Sequence, residues 1–173
     1  MKIPLDQLCV RSGVLCPRCE ALVRSGAVTE LDLEVMKLLL KAETTHDFKF
    51  LRDSEYIRSV NIGNVIVVQL NVSQQWTDHR TLTKLAKYLE SQLKTHVRVI
   101  DSKSTNTKDL VRSIIQPARV LGVNTLWLPD GSVEYVVRIP RSDLRHLPAP
   151  QEDVEHLLSQ MVGANVRIRV IEG

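Results

Sequence analysis

Apolar residues in the first half of the chain recur first at helical and then at strand spacing. Leu31, Val35 and Leu39 lie on one helical face, and Thr29 can cap the helix that carries them. β-branched runs such as Ile66-Val67-Val68 are typical of strands. In chain order we predict a helix over 30–43, a strand over 48–56, a turn at 61–64, a strand over 65–70, a helix over 82–93 and a strand over 97–100.

The second half of the chain repeats this order. Pro129-Asp130-Gly131 is a strong turn signal and predicts a hairpin. Val166 and Ile168 alternate with Arg167 and Arg169, which indicates a strand buried on one face. We predict a helix over 109–116, strands over 120–128 and 133–139, a helical turn over 142–147, a helix that begins near Pro150 and a final strand over 166–170.

Short sequence echoes strengthen the case for a duplication. Leu89-Glu90-Ser91-Gln92-Leu93 recurs about 68 residues later as Leu157-Leu158-Ser159-Gln160-Met161, and a similar offset separates two strand sequences upstream. The sequence therefore predicts an α+β fold of two tandem α-β-β-α-β units. We expect these units at 28–101 and 107–173, joined by a polar linker over 101–107, behind a cysteine-containing segment over 1–27.

Composition narrows the function classes. The chain has 173 residues and a net charge of +3, and arginine supplies 14 of its 23 basic residues. Arginine suits bidentate contact with phosphate, although so small a net charge is weak evidence for nucleic acid. Neither a membrane span nor a secretory signal is evident, so we expect a cytoplasmic protein with no membrane partner. Without a glycine-rich phosphate loop or nucleophile motif, we expect no enzyme and no small-molecule substrate.

The three cysteines of the chain lie within eleven positions. Cys16 and Cys19 have the two-residue spacing with which thiolates reach one tetrahedral zinc ion, and Cys9 precedes them by a short turn. Asp6 stands where a fourth ligand would be expected. Two interpretations remain open at this point. Either the cysteines bind zinc, with or without Asp6, or they pack as small apolar side chains.

The order of elements and several local motifs resemble a pair of type II KH domains. More specifically, the chain is similar to archaeal NusA-like KH proteins that begin with a small zinc knuckle. The resemblance covers essentially the whole chain and is carried by Met1-Lys2-Ile3-Pro4 with Cys9, Leu15-Cys16-Pro17-Arg18-Cys19, Thr29-Glu30-Leu31-Asp32, Arg98-Val99-Ile100, Pro117-Ala118-Arg119-Val120-Leu121-Gly122-Val123-Asn124 and Pro129-Asp130-Gly131. It implies binding of single-stranded RNA and a role in transcription elongation or termination.

One departure from the KH pattern concerns the loop that holds RNA. A KH domain clamps nucleotides with a GxxG loop at a helix start, where glycine allows the backbone to approach phosphate closely. Counting back from the last strand of each unit predicts these loops at Arg80-Thr81-Leu82-Thr83 and at Pro148-Ala149-Pro150-Gln151. Neither contains glycine, and two prolines in the second remove N–H donors.

Basic and aromatic residues near both predicted loops are the remaining candidates for RNA contact. Around the second loop, Arg141 and Arg145 are four apart and would meet on one helical turn. The alternative interpretation of the first group is that Trp76 covers the edge of the core and that Lys84 and Lys87 are a solvated helix face, while Asp143 lies inside the second group. The candidates are Trp76, His79, Arg80, Lys84 and Lys87 at the first loop and Arg138, Arg141, Arg145 and His146 at the second.

These observations leave two functional hypotheses. The first is a non-catalytic RNA-binding protein of the NusA type with degenerate GxxG loops. The second is a protein-interaction scaffold that docks on RNA polymerase or the ribosome and binds little RNA itself.

Overall fold

The computed structural model describes residues 1–73, 78–103 and 106–172. It is a mixed α+β structure with two three-stranded sheets, which confirms the predicted fold class. The elements are α1 (Gln7–Ser12), α2 (Pro17–Arg24), α3 (Glu30–Ala42), β1 (Glu55–Ile62), β2 (Val65–Asn71), α4 (His79–Leu93), β3 (His96–Asp101), α5 (Thr107–Ile115), β4 (Gly122–Trp127), β5 (Val133–Pro140), α6 (Gln151–Val162) and β6 (Asn165–Ile171), with 3₁₀ segments at His46–Asp53 and Arg141–His146.

The chain divides into two compact units. One comprises Met1–Asn61 with Ile66–Ser104, and the other comprises Ile62–Val65 with Thr105–Gly173. Each contains the order helix, two strands, helix, strand. In the described ranges, none of the helices has the length and apolar character needed to cross a bilayer.

Helix α3 anchors the first unit. The Thr29 hydroxyl accepts from the Asp32 N–H, and the Asp32 carboxylate accepts from the Thr29 N–H, so the predicted cap is a full capping box. Asp32 is nevertheless buried, and it also accepts hydrogen bonds from the Tyr56 hydroxyl and the Ser59 N–H. Burial, together with this contact to Asp32, raises the pKa of Tyr56. The cap therefore also ties α3 to β1.

The predicted strand over 48–56 is wrong. Residues His46–Asp53 form a 3₁₀ segment with a kink at Phe48, and β1 begins only at Glu55. Phe48 and Leu51 are both buried. Residues three apart align on one side of a 3₁₀ helix, which suits Phe48 and Leu51, whereas the buried Phe50 adds the alternating spacing of a strand. The turn before β2 is also shorter than predicted, since Asn61 and Ile62 belong to β1.

The predicted polar linker is shorter than 101–107. Asp101 ends β3 and is buried, and its Oδ1 accepts from the Val72 N–H at 3.1 Å. On the other side, Asn106 caps α5 by accepting from the Asp109 N–H. Both ends of the predicted linker are therefore held by capping or strand contacts, and residues 104 and 105 lie outside the described ranges.

The second unit has the sheet order β4-β5-β6. Strand β4 is antiparallel to β5, and β6 is parallel to it. The predicted hairpin turn is confirmed: Asp130 Oδ1 accepts from the Ser132 N–H and hydroxyl, and Gly131 adopts φ 83°. The core of this unit includes Leu110, Val111, Ile114, Ile115, Ala118, Val136, Val137, Ile139, Val154, Leu157, Leu158, Val166 and Ile168.

Candidate functional site

The first predicted RNA loop lies inside a helix. Asp78 caps α4 by accepting from the Arg80 N–H, so Arg80-Thr81-Leu82-Thr83 forms its first turns. Helix α4 has 15 residues and α6 has 12. The two loops were predicted by counting back a similar number of residues from the final strand of each unit. Because α4 is longer than α6, the position predicted in the first unit lies inside α4. The connection from β2 to α4 is residues 72–78, and Trp76 lies there, outside the described residues.

Three candidate cations share one exposed face of α4. Arg80, Lys84 and Lys87 follow the four- and three-residue spacings that align side chains along a helix. No acidic residue occupies the first turn of α4. Among the described residues, none of the three cations has an ion-pair partner. The structure thus leaves a stripe of positive charge on α4, next to the helix end that the Asp78 carboxylate caps. His79 is the first residue of α4, and its side chain is outside the description.

The second predicted loop has the opposite character. Pro150 precedes the first residue of α6, and Glu152 and Asp153 occupy the first turn of that helix. These acids satisfy the positive end of the helix dipole. Proline at 148 and 150 also removes two backbone donors. This helix end is therefore unsuited to a phosphate group.

The second group of candidate cations is not gathered into one cluster. Arg141 forms an ion pair with Glu172 at 2.6 Å, and Arg145 Nε donates to His146 Nε2 at 3.2 Å. The segment is 3₁₀, so residues four apart point about 120° away from each other, which corrects the predicted meeting of Arg141 and Arg145. Arg138 lies on the sheet, where its guanidinium covers Gly122 so closely that a Cβ there would meet Nη2 at 2.9 Å.

Arg119 was not among the predicted residues. Its N–H and Nε donate to Asp143 Oδ2 at 2.8 and 3.0 Å, and the Ser142 hydroxyl donates to Oδ1 at 2.8 Å. The Arg119 guanidinium, its N–H and the Ser142 hydroxyl lower the pKa of Asp143. The one sequence signal for this pair was an aspartate inside a basic segment. Its partner lies 24 residues away and could not be identified from spacing.

The three cysteines come together as predicted. The sulfur atoms of Cys9, Cys16 and Cys19 all lie within 4.8 Å of one another, and among the described residues this is the group that could hold a metal ion. Four tetrahedral ligands at a Zn–S distance of ~2.3 Å require sulfur atoms ~3.8 Å apart. The spacing of the cysteines is compatible with such a site.

Backbone N–H groups donate to the sulfurs of Cys9 and Cys19. Cys16 N–H donates to Cys9 Sγ at 3.4 Å, and Asp6 N–H donates to Cys19 Sγ at 3.3 Å. The neighbouring Cys19 N–H and thiol lower the pKa of Cys16. At Cys9 the Cys16 N–H lowers the pKa, but burial and the neighbouring thiols outweigh it and raise the pKa. Donors of this kind orient and stabilise thiolate ligands.

Asp6 takes part in this site through its backbone. Its carboxylate caps α1 by accepting from the Leu8 N–H at 2.8 Å, and it does not belong to the group of candidate ligand atoms. The prediction of Asp6 as a fourth ligand therefore has no support in the geometry, because its carboxylate is already used as a helix cap.

Comparisons with known proteins give little further information. No family model matches the chain, and no curated protein matches it. The chain is similar to the solved structure described as "Crystal structure of APE1850", with 16% sequence identity and a TM-score of 0.42. The alignment covers 68% of this chain and 88% of that chain. A similarity of this size supports no functional argument.

Proposed function

We propose that the protein is a non-catalytic, cytoplasmic RNA-binding factor of the NusA type, and that the α4 stripe of Arg80, Lys84 and Lys87 contacts the phosphates of single-stranded RNA. The observation that carries the proposal is that these three cations are exposed and have no ion-pair partner among the described residues. A phosphate that approaches them does not have to displace a carboxylate.

The location of the stripe supports the same proposal. It follows the second strand of an α-β-β-α-β unit, at the helix that carries the RNA clamp in the KH proteins the sequence resembles. The missing glycines prevent the close backbone approach of a standard clamp. Side-chain cations then supply the phosphate contact, and this type of contact holds RNA without reading its sequence.

The second unit contributes less to this proposed interface. Its predicted loop contains two prolines, and two acidic residues follow in the first turn of α6. Arg119 forms an ion pair with Asp143, and Arg141 forms one with Glu172. Arg119 and Arg141 must loosen or share these partners before they can bind phosphate.

A salt series tests the proposal. Affinity for a fluorescent single-stranded RNA is measured for the wild-type protein and for the triple variant Arg80→Gln, Lys84→Gln, Lys87→Gln. Each phosphate contact with single-stranded nucleic acid contributes about 0.7 to the slope of log affinity against log salt concentration. Loss of three contacts should make the slope shallower by about 2.

A matched control removes three exposed cations elsewhere in the same unit that also form no ion pair among the described residues: Lys37→Gln, Lys41→Gln, Arg52→Gln. Its slope should remain close to the wild-type value. If both triple variants lose affinity equally, net charge rather than the α4 stripe is responsible. If the wild-type protein has no measurable affinity at low salt, RNA binding is rejected in favour of the alternative, a scaffold that docks on RNA polymerase or the ribosome.

We also propose that the cysteine group binds zinc as a structural ion. Three thiols with converging N–H donors favour a borderline-soft metal that accepts sulfur ligands. Bound there, zinc would link α1 and α2 through Cys9 and Cys19 and leave a fourth position for a ligand other than Asp6.

A further inference from the structure

Strand β4 is an unusually unprotected sheet edge. Its outer side has no strand neighbour in the described chain, and four of its six residues are exposed. Trp127 is 77% exposed and Leu126 is 42% exposed. Proteins protect such edges with charges, prolines or coverings, because unpaired N–H and C=O groups otherwise recruit another strand.

The other edge strands of the described chain carry such protection. Strand β1 contains Glu55 and Arg58, and a bridge to Lys2 covers part of it. Strands β3 and β6 contain ionisable residues as well. Among the four edge strands, β4 is the one whose residues, GVNTLW, include no ionisable group.

The hydrogen-bonding pattern identifies which groups of β4 are unpaired. The Leu128 N–H donates to the Ser132 C=O at 2.9 Å, in register with the β4–β5 ladder. Residues of an antiparallel ladder alternate between facing the partner strand and facing away. The backbone groups of Leu126 and Asn124 therefore face β5, and those of Val123, Thr125 and Trp127 face the open edge.

The same three residues are self-complementary. When two β4 strands pair antiparallel, a two-fold axis perpendicular to the sheet can pass beside Thr125. Thr125 then lies opposite its counterpart in the second copy, and Val123 lies opposite the second copy's Trp127. Each of these pairs exchanges two backbone hydrogen bonds in an antiparallel ladder. Thr–Thr and aromatic–β-branched pairs are among the favourable cross-strand pairs.

We propose that the protein forms a two-fold symmetric dimer through antiparallel pairing of β4 with β4 of a second copy. The sheet of the second unit then continues across the axis, and Trp127 is covered. A second copy fits this edge because an uncharged strand can face itself without opposing like charges. A self-paired β6 would bring Arg167 and Arg169 of two copies together. The dimer is independent of the proposed RNA contact on α4.

The test compares the oligomeric state of two edge variants with that of the wild type. Thr125→Pro removes an N–H that faces the open edge and leaves the β4–β5 ladder its bonds, as proline is tolerated on an edge. Thr125→Lys sets two ammonium groups opposite each other across the axis. Sedimentation equilibrium across the micromolar range should give a dimer for the wild type and a monomer for both variants. Thr125→Val, which keeps the N–H and adds no charge, should remain dimeric.

A second readout reports on Trp127 itself. In a Trp76→Phe background, Trp127 is the remaining tryptophan, and its emission should shift to the blue as the dimer forms. Circular dichroism establishes that each variant is folded. A wild-type protein that stays monomeric at every concentration overturns the proposal. Dimers that persist in both folded variants also overturn it, because the interface then lies elsewhere.

Discussion

Asp6 illustrates how one residue can be close to a site without acting there through its side chain. Its N–H donates to Cys19 Sγ, and its carboxylate caps α1. Spacing along the chain placed Asp6 near the cysteines correctly. Spacing could not indicate which of its groups faces the sulfur atoms, because that depends on the direction in which α1 begins.

This geometry leads to a prediction about metal binding. Asp6→Asn should keep one zinc ion per chain, because asparagine caps helices as well as aspartate does and the backbone N–H is unchanged. Cys16→Ser should lose the metal, because a thiolate ligand is removed. Native mass spectrometry of protein purified without chelator measures the occupancy.

The outcomes of this experiment separate the interpretations. Loss of zinc from the Asp6→Asn variant would make the carboxylate a ligand after all. A wild-type protein that carries no metal would leave the cysteines as small packing residues. Circular dichroism of the Cys16→Ser variant distinguishes loss of a ligand from general unfolding.

At the scale of elements, the 3₁₀ segment Arg141–His146 is fixed by an ion pair beyond its own sequence. Asp143 in this segment is buried and accepts from Arg119 and Ser142. A short 3₁₀ turn has poor internal hydrogen bonds, so this contact to the chain before β4 contributes strongly to its position.

The lowered pKa of Asp143 predicts how stability changes with pH. A carboxyl group whose pKa is lower in the folded state stabilises the fold above its unfolded pKa of about 3.9, and this contribution is lost as the pH falls further. Asp143→Asn should therefore be less stable than the wild type at pH 7, and the difference should shrink below about pH 4. Urea unfolding of both proteins at pH 7 and at a pH below about 4 measures this difference in stability.

Asp47→Asn is the control for the loss of one carboxylate, since Asp47 is exposed. It should change the free energy of unfolding by less than about 0.5 kcal/mol. A difference between Asp143→Asn and the wild type that stays constant down to acid pH would contradict an ionic contribution from Asp143.

For the whole molecule, the two units share an order of elements but differ in the charges that they carry at matching positions. In the first unit, the first turn of the helix after the second strand has no acid beyond the Asp78 cap, whereas Glu152 and Asp153 occupy that turn in the second unit. Matching positions in the two units therefore present opposite charge to an approaching anion. One fold supports both because these residues lie on the surface and do not contribute to the core.

This difference between the units predicts unequal effects on RNA affinity. The double variant Arg141→Gln, Arg145→Gln should reduce the salt slope less than the double variant Arg80→Gln, Lys84→Gln, since Arg141 is already paired with Glu172. The salt series described above measures both. A larger effect from Arg141 and Arg145 would move the proposed contact to the second unit.

The sequence by itself determined the α+β class, the repeated order of elements, the cap at Thr29, the hairpin turn at Asp130-Gly131 and the absence of glycine near both predicted loops. These features depend on residues close together in the chain, whose periodicity and turn chemistry are readable without a fold. The 3₁₀ segment at His46–Asp53 was the exception, because its apolar spacing also suits a strand.

Only the tertiary structure decided which charged groups have partners. Asp143 meets Arg119 across 24 residues, and Arg141 meets Glu172 across 31. Arg80, Lys84 and Lys87 form no ion pair among the described residues, although the sequence alone made Arg141 and Arg145 look equally available. The path of the chain brings distant charges together, and an unpaired cation can be recognised only after those pairs are known.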